Sequence, residues 1–253
     1  MDINISGPKV FWTAPWDVPI MGKFQLSETI LVSWLVMAII TILCIVLTRD
    51  LKVENISKRQ ALAEFIVEKL DNFVLGNMGE RFRYMIPFVG ALFATSLVSN
   101  LISLTGLRSP TADLSTEAGW AIVVFIMITR QKLKTNGLKG YLKGFTEPIV
   151  VMTPFNILGE FSTPVSMACR HFGNIFSGIV INALIYGALA VVSSAVLGLI
   201  PGAVGAVLSQ IPIFSVGLPA ITSVYFDWFT GCMQAFIFSM LTIMYIAVEA
   251  GDE

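Results

Sequence analysis

Between Glu160 and Glu249 the chain carries only two full charges, Arg170 and Asp227. A stretch this apolar and this long has no soluble solution, so both charges must lie inside a membrane. A charged side chain at the bilayer centre costs roughly 2.5–3.5 kcal/mol even on lenient insertion scales, and such residues usually mark an ion or substrate path. Arg170 is therefore where function is sought first.

Composition supports this reading. The chain is 55% hydrophobic and 13% charged, with a mean hydropathy of +0.79, against about 25% charged in soluble domains. A helix needs about 20 apolar residues to span a bilayer, so 253 residues leave room for about five membrane-embedded helices. The net charge of −1 points to no nucleic acid or other polyanionic partner. His171 is the single histidine, and Cys44, Cys169 and Cys232 lie in apolar segments without a C-x-x-C spacing. No metal site, disulfide framework or cofactor is expected. No G-x-x-x-x-G-K-[ST] loop is present, so the chain carries no nucleotide chemistry of this kind.

The expected fold is all-α, a single polytopic membrane domain over residues 1–253. Residues 1–28 hold charges and prolines, with an aromatic run from Phe11 to Trp16 suited to a membrane interface. A first span covers 30–48. Residues 49–83 form a polar segment in which Leu62, Phe65, Ile66, Leu70, Phe73 and Val74 recur at helical spacing. That pattern describes an amphipathic helix on the membrane surface or on a partner subunit. A helical hairpin follows over 84–130, with a loop at 105–117 and a short third span near Ala118 to Thr129. Residues 130–147 read as a basic, glycine-bearing loop. The chain ends in a long hairpin over 146–249, turning at Gly202 to Pro219. Its first arm, Asn156 to Leu199, is too long to stand upright in a core about 30 Å thick, so it breaks or tilts steeply.

Segments 49–83 and 130–143 hold most of the 16 basic residues. The positive-inside rule makes them cytoplasmic, with the N-terminus and the 105–117 loop outside and the C-terminus cytoplasmic. A bacterial plasma membrane fits this arrangement.

Ser166, Arg170 and Asn174 are spaced i, i+4, i+8 and share one helix face, with Gly173 and Gly178 keeping the backbone thin nearby. On the second arm Ser223, Asp227, Thr230 and Gln234 form another polar stripe. Two such stripes suggest a hydrated route ending near an arginine. Plain readings stand beside this one. Ser166, Ser223, Thr230, Asn174 and Gln234 would also serve as ordinary interhelical hydrogen-bonding groups. Asp227 is either a counter-ion for Arg170 or part of a proton path. His171 is turned about 100° from Arg170 and suits packing, with no evident Ser or Asp partner at helical spacing.

The run Arg170-His171-Phe172-Gly173-Asn174 resembles the Arg-Leu-Phe-Gly-Asn signature of subunit a of F-type ATP synthases. Gln234 to Tyr245 resembles that family's closing motif, and Pro110-Thr111-Ala112-Asp113-Leu114 its Pro-Thr-Ala-Asp loop. The resemblance implies that Arg170 faces a ring of c subunits, with Gln234 close by, and that the last two long helices tilt steeply. It also implies peripheral-stalk b subunits and, indirectly, the F1 sector as partners. The ion path would include Asn174, Gln234, Asp227, Ser166, His171, Ser223, Thr230 and Tyr245, with Asp113 in the external loop. Two positions depart from the family pattern. His171 stands where many members have leucine, and Ile179 where many have glutamate. Asp227 is then expected to replace that acid across the hairpin. A secondary transporter with an intramembrane Arg/Asp pair is the alternative, although no inverted repeat is visible. An intramembrane hydrolase would need a nucleophile–base pair that the spacing does not provide.

Overall fold

The computed structural model describes residues 8–18, 22–199, 222 and 224–251. The described chain is a bundle of six helices with a small antiparallel ribbon at its start. The turn expected at Gly202 to Pro219, and Ser223, lie outside the described residues.

The described chain is all-α apart from this short ribbon, which the sequence reading did not anticipate. Strand β1 (Val10–Val18) pairs with β2 (Gly22–Ser27), from Val10 opposite Ser27 to Val18 opposite Gly22. Val, Trp, Phe and Thr favour a pleated surface, so the aromatic run forms a hairpin. Phe11, Trp12 and Trp16 stay exposed.

Helix α1 (Glu28–Thr48) is apolar all round, and only Thr29, Val32 and Val36 are buried. Val32 and Val36 pack on Ile102. An otherwise uncovered apolar helix is one whose solvent is lipid.

Helix α2 (Lys58–Met78) starts at Ser57, whose hydroxyl accepts the Gln60 N–H, and stops at Gly79, where φ is 81°. Its apolar stripe divides along its length. Leu62, Phe65 and Ile66 are exposed, while Val74 and Met78 enter the core and Phe73 packs on Phe236. The C-terminal half is thus held by the chain's own α3 and α6, defined below.

A 3-10 segment, Glu80–Met85, leads into α3 (Ile86–Leu101), and two short 3-10 turns, Ile102–Thr105 and Pro110–Ala112, cross to α4 (Leu114–Gly144). Helix α4 corrects the expected loop at 130–147. It continues as far as Gly144, broken only at Gly137, which adopts φ 67°. Lys, Leu, Gln and Arg are good helix formers, and one glycine interrupts the helix without ending it.

Helix α5 (Thr153–Gly198) is one continuous helix of 46 residues despite Pro164, about 69 Å at 1.5 Å per residue. The break that its length allowed does not occur within Thr153–Gly198. A π-helical turn, Val224–Thr230, precedes α6 (Gly231–Val248). Four segments of the described residues are long and apolar enough to cross a membrane: Glu28–Thr48, Glu80–Thr105, Val150–Gly198 and Val224–Val248. Helix α4 joins them as a shorter apolar stretch up to Thr129. The main core gathers Val74, Phe82, Val89, Val124, Met167, Phe238 and Ile243 from α2 to α6.

Candidate functional site

Helix α5 has two unlike sides near its middle. Met167, Ala168, His171 and Gly178 are buried against the bundle. Ser166, Arg170 and Asn174 are exposed, among the exposed apolar side chains Phe161, Val165 and Phe176. The structure thus gathers the i, i+4, i+8 trio on the uncovered side. Among the described residues, no ion pair or side-chain hydrogen bond reaches Arg170. A Cβ added at Gly173 would meet no atom within 4 Å, whereas one at Gly178 would touch Phe226 at 3.4 Å. The thin backbone therefore serves internal packing at Gly178 and leaves open space at Gly173.

Asn174 and Gln234 are brought together. The Asn174 side-chain amide donates to Gln234 Oε1 at 2.6 Å, joining the exposed face of α5 to a fully buried residue of α6. Thr230 lies in the π-helical turn, where its hydroxyl donates to the Tyr225 carbonyl five residues back at 3.2 Å. That wider turn spaces side chains differently from an α-helix along Val224–Thr230. The Asp227 side chain lies outside the described residues, and with it the expectation of an Asp227 counter-ion. Tyr245 is half-buried and packs on the main core, about 16 Å along the helix from Gln234.

His171 has the partner that helical spacing did not show. Its Nδ1 lies 3.1 Å from Glu117 Oε2, with both side chains fully buried, although the contact lacks the alignment of a hydrogen bond. Its Nε2 is 3.4 Å from Ser96 Oγ and 3.5 Å from Asn100 Nδ2. Trp120 and Phe238 flank the ring. Glu117 was hidden in the expected 105–117 loop. Its burial follows from α4 starting at Leu114, capped by Asp113, which accepts the Ser115 N–H.

Asn100 organises the surroundings. It donates to the Gly231 carbonyl at 2.8 Å and accepts from Thr111 Oγ1 at 2.7 Å. The Thr111 and Ser109 hydroxyl oxygens lie 2.5 Å apart, and Ser109 donates to the Ser99 carbonyl. A Cβ at Gly231 would sit 3.0 Å from Asn100 Cβ, so a larger residue here requires Asn100 to give way by a few tenths of an ångström. Asp113, from the Pro-Thr-Ala-Asp stretch, accepts from Thr29 at 3.2 Å.

At the other end of the bundle, Lys132 of α4 lies 2.6 Å from Glu160 of α5 and 3.4 Å from Glu249 beyond α6. Lys132 sits past the apolar stretch of α4. Burial works against its ammonium, but the hydrogen bond and charge of Glu160, joined by Glu249, outweigh this and raise its pKa above the usual lysine value.

An apolar helical bundle with four segments long and apolar enough to cross a bilayer defines a multi-pass membrane protein. The family model of the ATP synthase A chain matches residues 30–247. The chain belongs to that family. It is 32% identical to an ATP synthase subunit a of Acaryochloris marina, over 95% of this chain and 90% of the relative. It is 31% identical to the subunit a of Desulforamulus reducens, over 100% and 90%. A sodium-ion-specific ATP synthase subunit a of Propionigenium modestum is 29% identical over 98% and 86%.

Proposed function

We propose that this chain is the stationary membrane subunit of an Fo motor, providing two ion half-channels and the arginine that couples proton flow to rotation of a c-subunit ring. The observation that carries this reading is Arg170, a permanent cation on an uncovered, mostly apolar helix face without a partner among the described residues. A cation in that setting needs an anion from elsewhere.

A ring carboxylate moves through lipid only when neutral, because a bare charge there is costly. Opposite Arg170 it is stabilised as an anion. At about 4 Å and an effective dielectric of about 20 the pair gains roughly 4 kcal/mol, and such a neighbour lowers a carboxylate pKa by about 1–3 units. The proton leaves into one half-channel, the ring turns, and the site reprotonates from the other. Arg170 also repels a proton attempting the direct route between the half-channels. A transmembrane potential supplies about 2.3 kcal/mol per charge per 100 mV.

Asn174 and Gln234 brace the Arg170 face, and Ser166 extends its polar strip. Asp227, Ser223 and Thr230 contribute to the wall of a half-channel on the second arm. The positive-inside rule puts α2 and the Lys132 end on the cytoplasmic side of the plasma membrane and the 105–113 loop outside. Peripheral-stalk b subunits and the F1 sector complete the assembly. Arg170→Ala is expected to abolish proton-driven ATP synthesis by the reconstituted complex. Synthesis at the parental rate would overturn the proposal.

A further inference from the structure

Helix α5 carries a second ionisable centre, one residue from Arg170 and on the opposite, covered side. Glu117 and His171 are fully buried and 3.1 Å apart. Glu117 Oε1 meets no protein donor. Holding α4 against α5 does not require an acid and a base. Apolar side chains of similar volume pack at such a site without the desolvation of two charges, and replacing a buried ion pair in this way is often neutral or stabilising.

A buried acid–base pair has a property that apolar packing lacks. It has two forms without net charge, the carboxylic acid beside a neutral imidazole and the carboxylate beside an imidazolium, which differ in the position of one proton. The attraction within the ionic form offsets part of its desolvation cost. Such a pair accepts and releases a proton without moving a helix.

The pair is also placed for delivery. From His171 Nε2 the buried polar groups continue through Asn100 to Thr111 and Ser109, which lie in the loop that ends at Asp113. The flanking Trp120 and Phe238 rings keep the site apolar otherwise.

We propose that Glu117 and His171 form a proton-loading pair in the half-channel that opens at the 105–113 loop. A proton arriving on the Asn100 side forms an N–H bond at His171 Nε2, and the Nδ1–H bond breaks as the Glu117 carboxylate gains that proton. In release the Glu117 O–H bond breaks as Nδ1 regains its proton, and Nε2 gives one up on its Ser96 side, which returns the ring to its starting tautomer. No electron changes hands, and each proton that enters is matched by one that leaves.

The inference rests on the ion-path reading, and one experiment separates the two. The whole ATP synthase is reconstituted in liposomes, and ATP-driven proton pumping is followed with a pH-sensitive dye after assembly is checked. The double variant Glu117→Leu/His171→Leu and the near-isosteric Glu117→Gln are expected to assemble normally and to pump at least about tenfold more slowly, the lower range of acid–base contributions. Glu117→Asp, which keeps a carboxyl group, should retain more activity than Glu117→Gln. Pumping at the parental rate in the double variant, or losses that only track lost assembly, would overturn the proposal. If those variants pump normally while Arg170→Ala does not, the pair is structural and the wider reading stands. If Arg170→Ala also pumps normally, the wider reading fails with it.

Discussion

The two sides of α5 near its middle carry similar residue types and live in opposite surroundings. The uncovered side has Ser166, Arg170 and Asn174 among exposed apolar neighbours. The covered side has His171 and Met167, sealed against α3, α4 and α6. One helical turn thus holds a cation without a partner among the described residues and an imidazole that lies 3.1 Å from Glu117. Polarity in a membrane helix is therefore ambiguous until the covered side is known. His171 on the covered side is held by its own fold, and on the open side Asn174 is tied to Gln234 while Arg170 has no partner among the described residues.

This contrast predicts function-only effects on one side and stability effects on the other. The largest is Arg170→Ala, which should abolish proton-driven synthesis while leaving the melting temperature of the purified subunit unchanged. Loss of both together would erase the distinction. Met167→Ala, with its side chain 2% exposed, should destabilise the chain by about 2–5 kcal/mol, read by thermal unfolding in detergent. Gly231→Ala forces a Cβ to within 3.0 Å of Asn100 Cβ and should cost about 1–3 kcal/mol in the same assay. Gln234→Ala removes the acceptor for Asn174, so its stability cost should be about 1 kcal/mol. Ser166→Ala, on the open side, should shift stability by less than about 0.5 kcal/mol.

The sequence disclosed the open side well and the covered side poorly. Arg170, Ser166 and Asn174 were legible because α5 keeps its 3.6-residue period through them. The long first arm was legible from its apolar length, and its continuity follows from the absence of any helix-breaking turn at Pro164. The π-helical turn Val224–Thr230 was not legible, because the residue types there do not distinguish it from an α-helix. Residues 130–144 looked like a loop because charge and glycine dominate, yet the same lysines favour helix. Glu117 escaped notice because its partner is 54 positions away, beyond any local periodicity. The Lys132–Glu160–Glu249 cluster was hidden for the same reason. The N-terminal hairpin was present in the aromatic and β-branched run, which interface propensity alone did not separate from strand pairing.

The most direct test is cysteine cross-linking between α5 and the carboxylate-bearing helix of the ring protein. It starts from a variant in which Cys44, Cys169 and Cys232 are replaced. Cysteines at positions 166 and 174 should form disulfides with the ring under mild oxidation, while cysteines at 167 and 171 should not. Cross-links at 167 and 171 with none at 166 and 174 would contradict the account, because Arg170 would then face its own bundle rather than a passing acid.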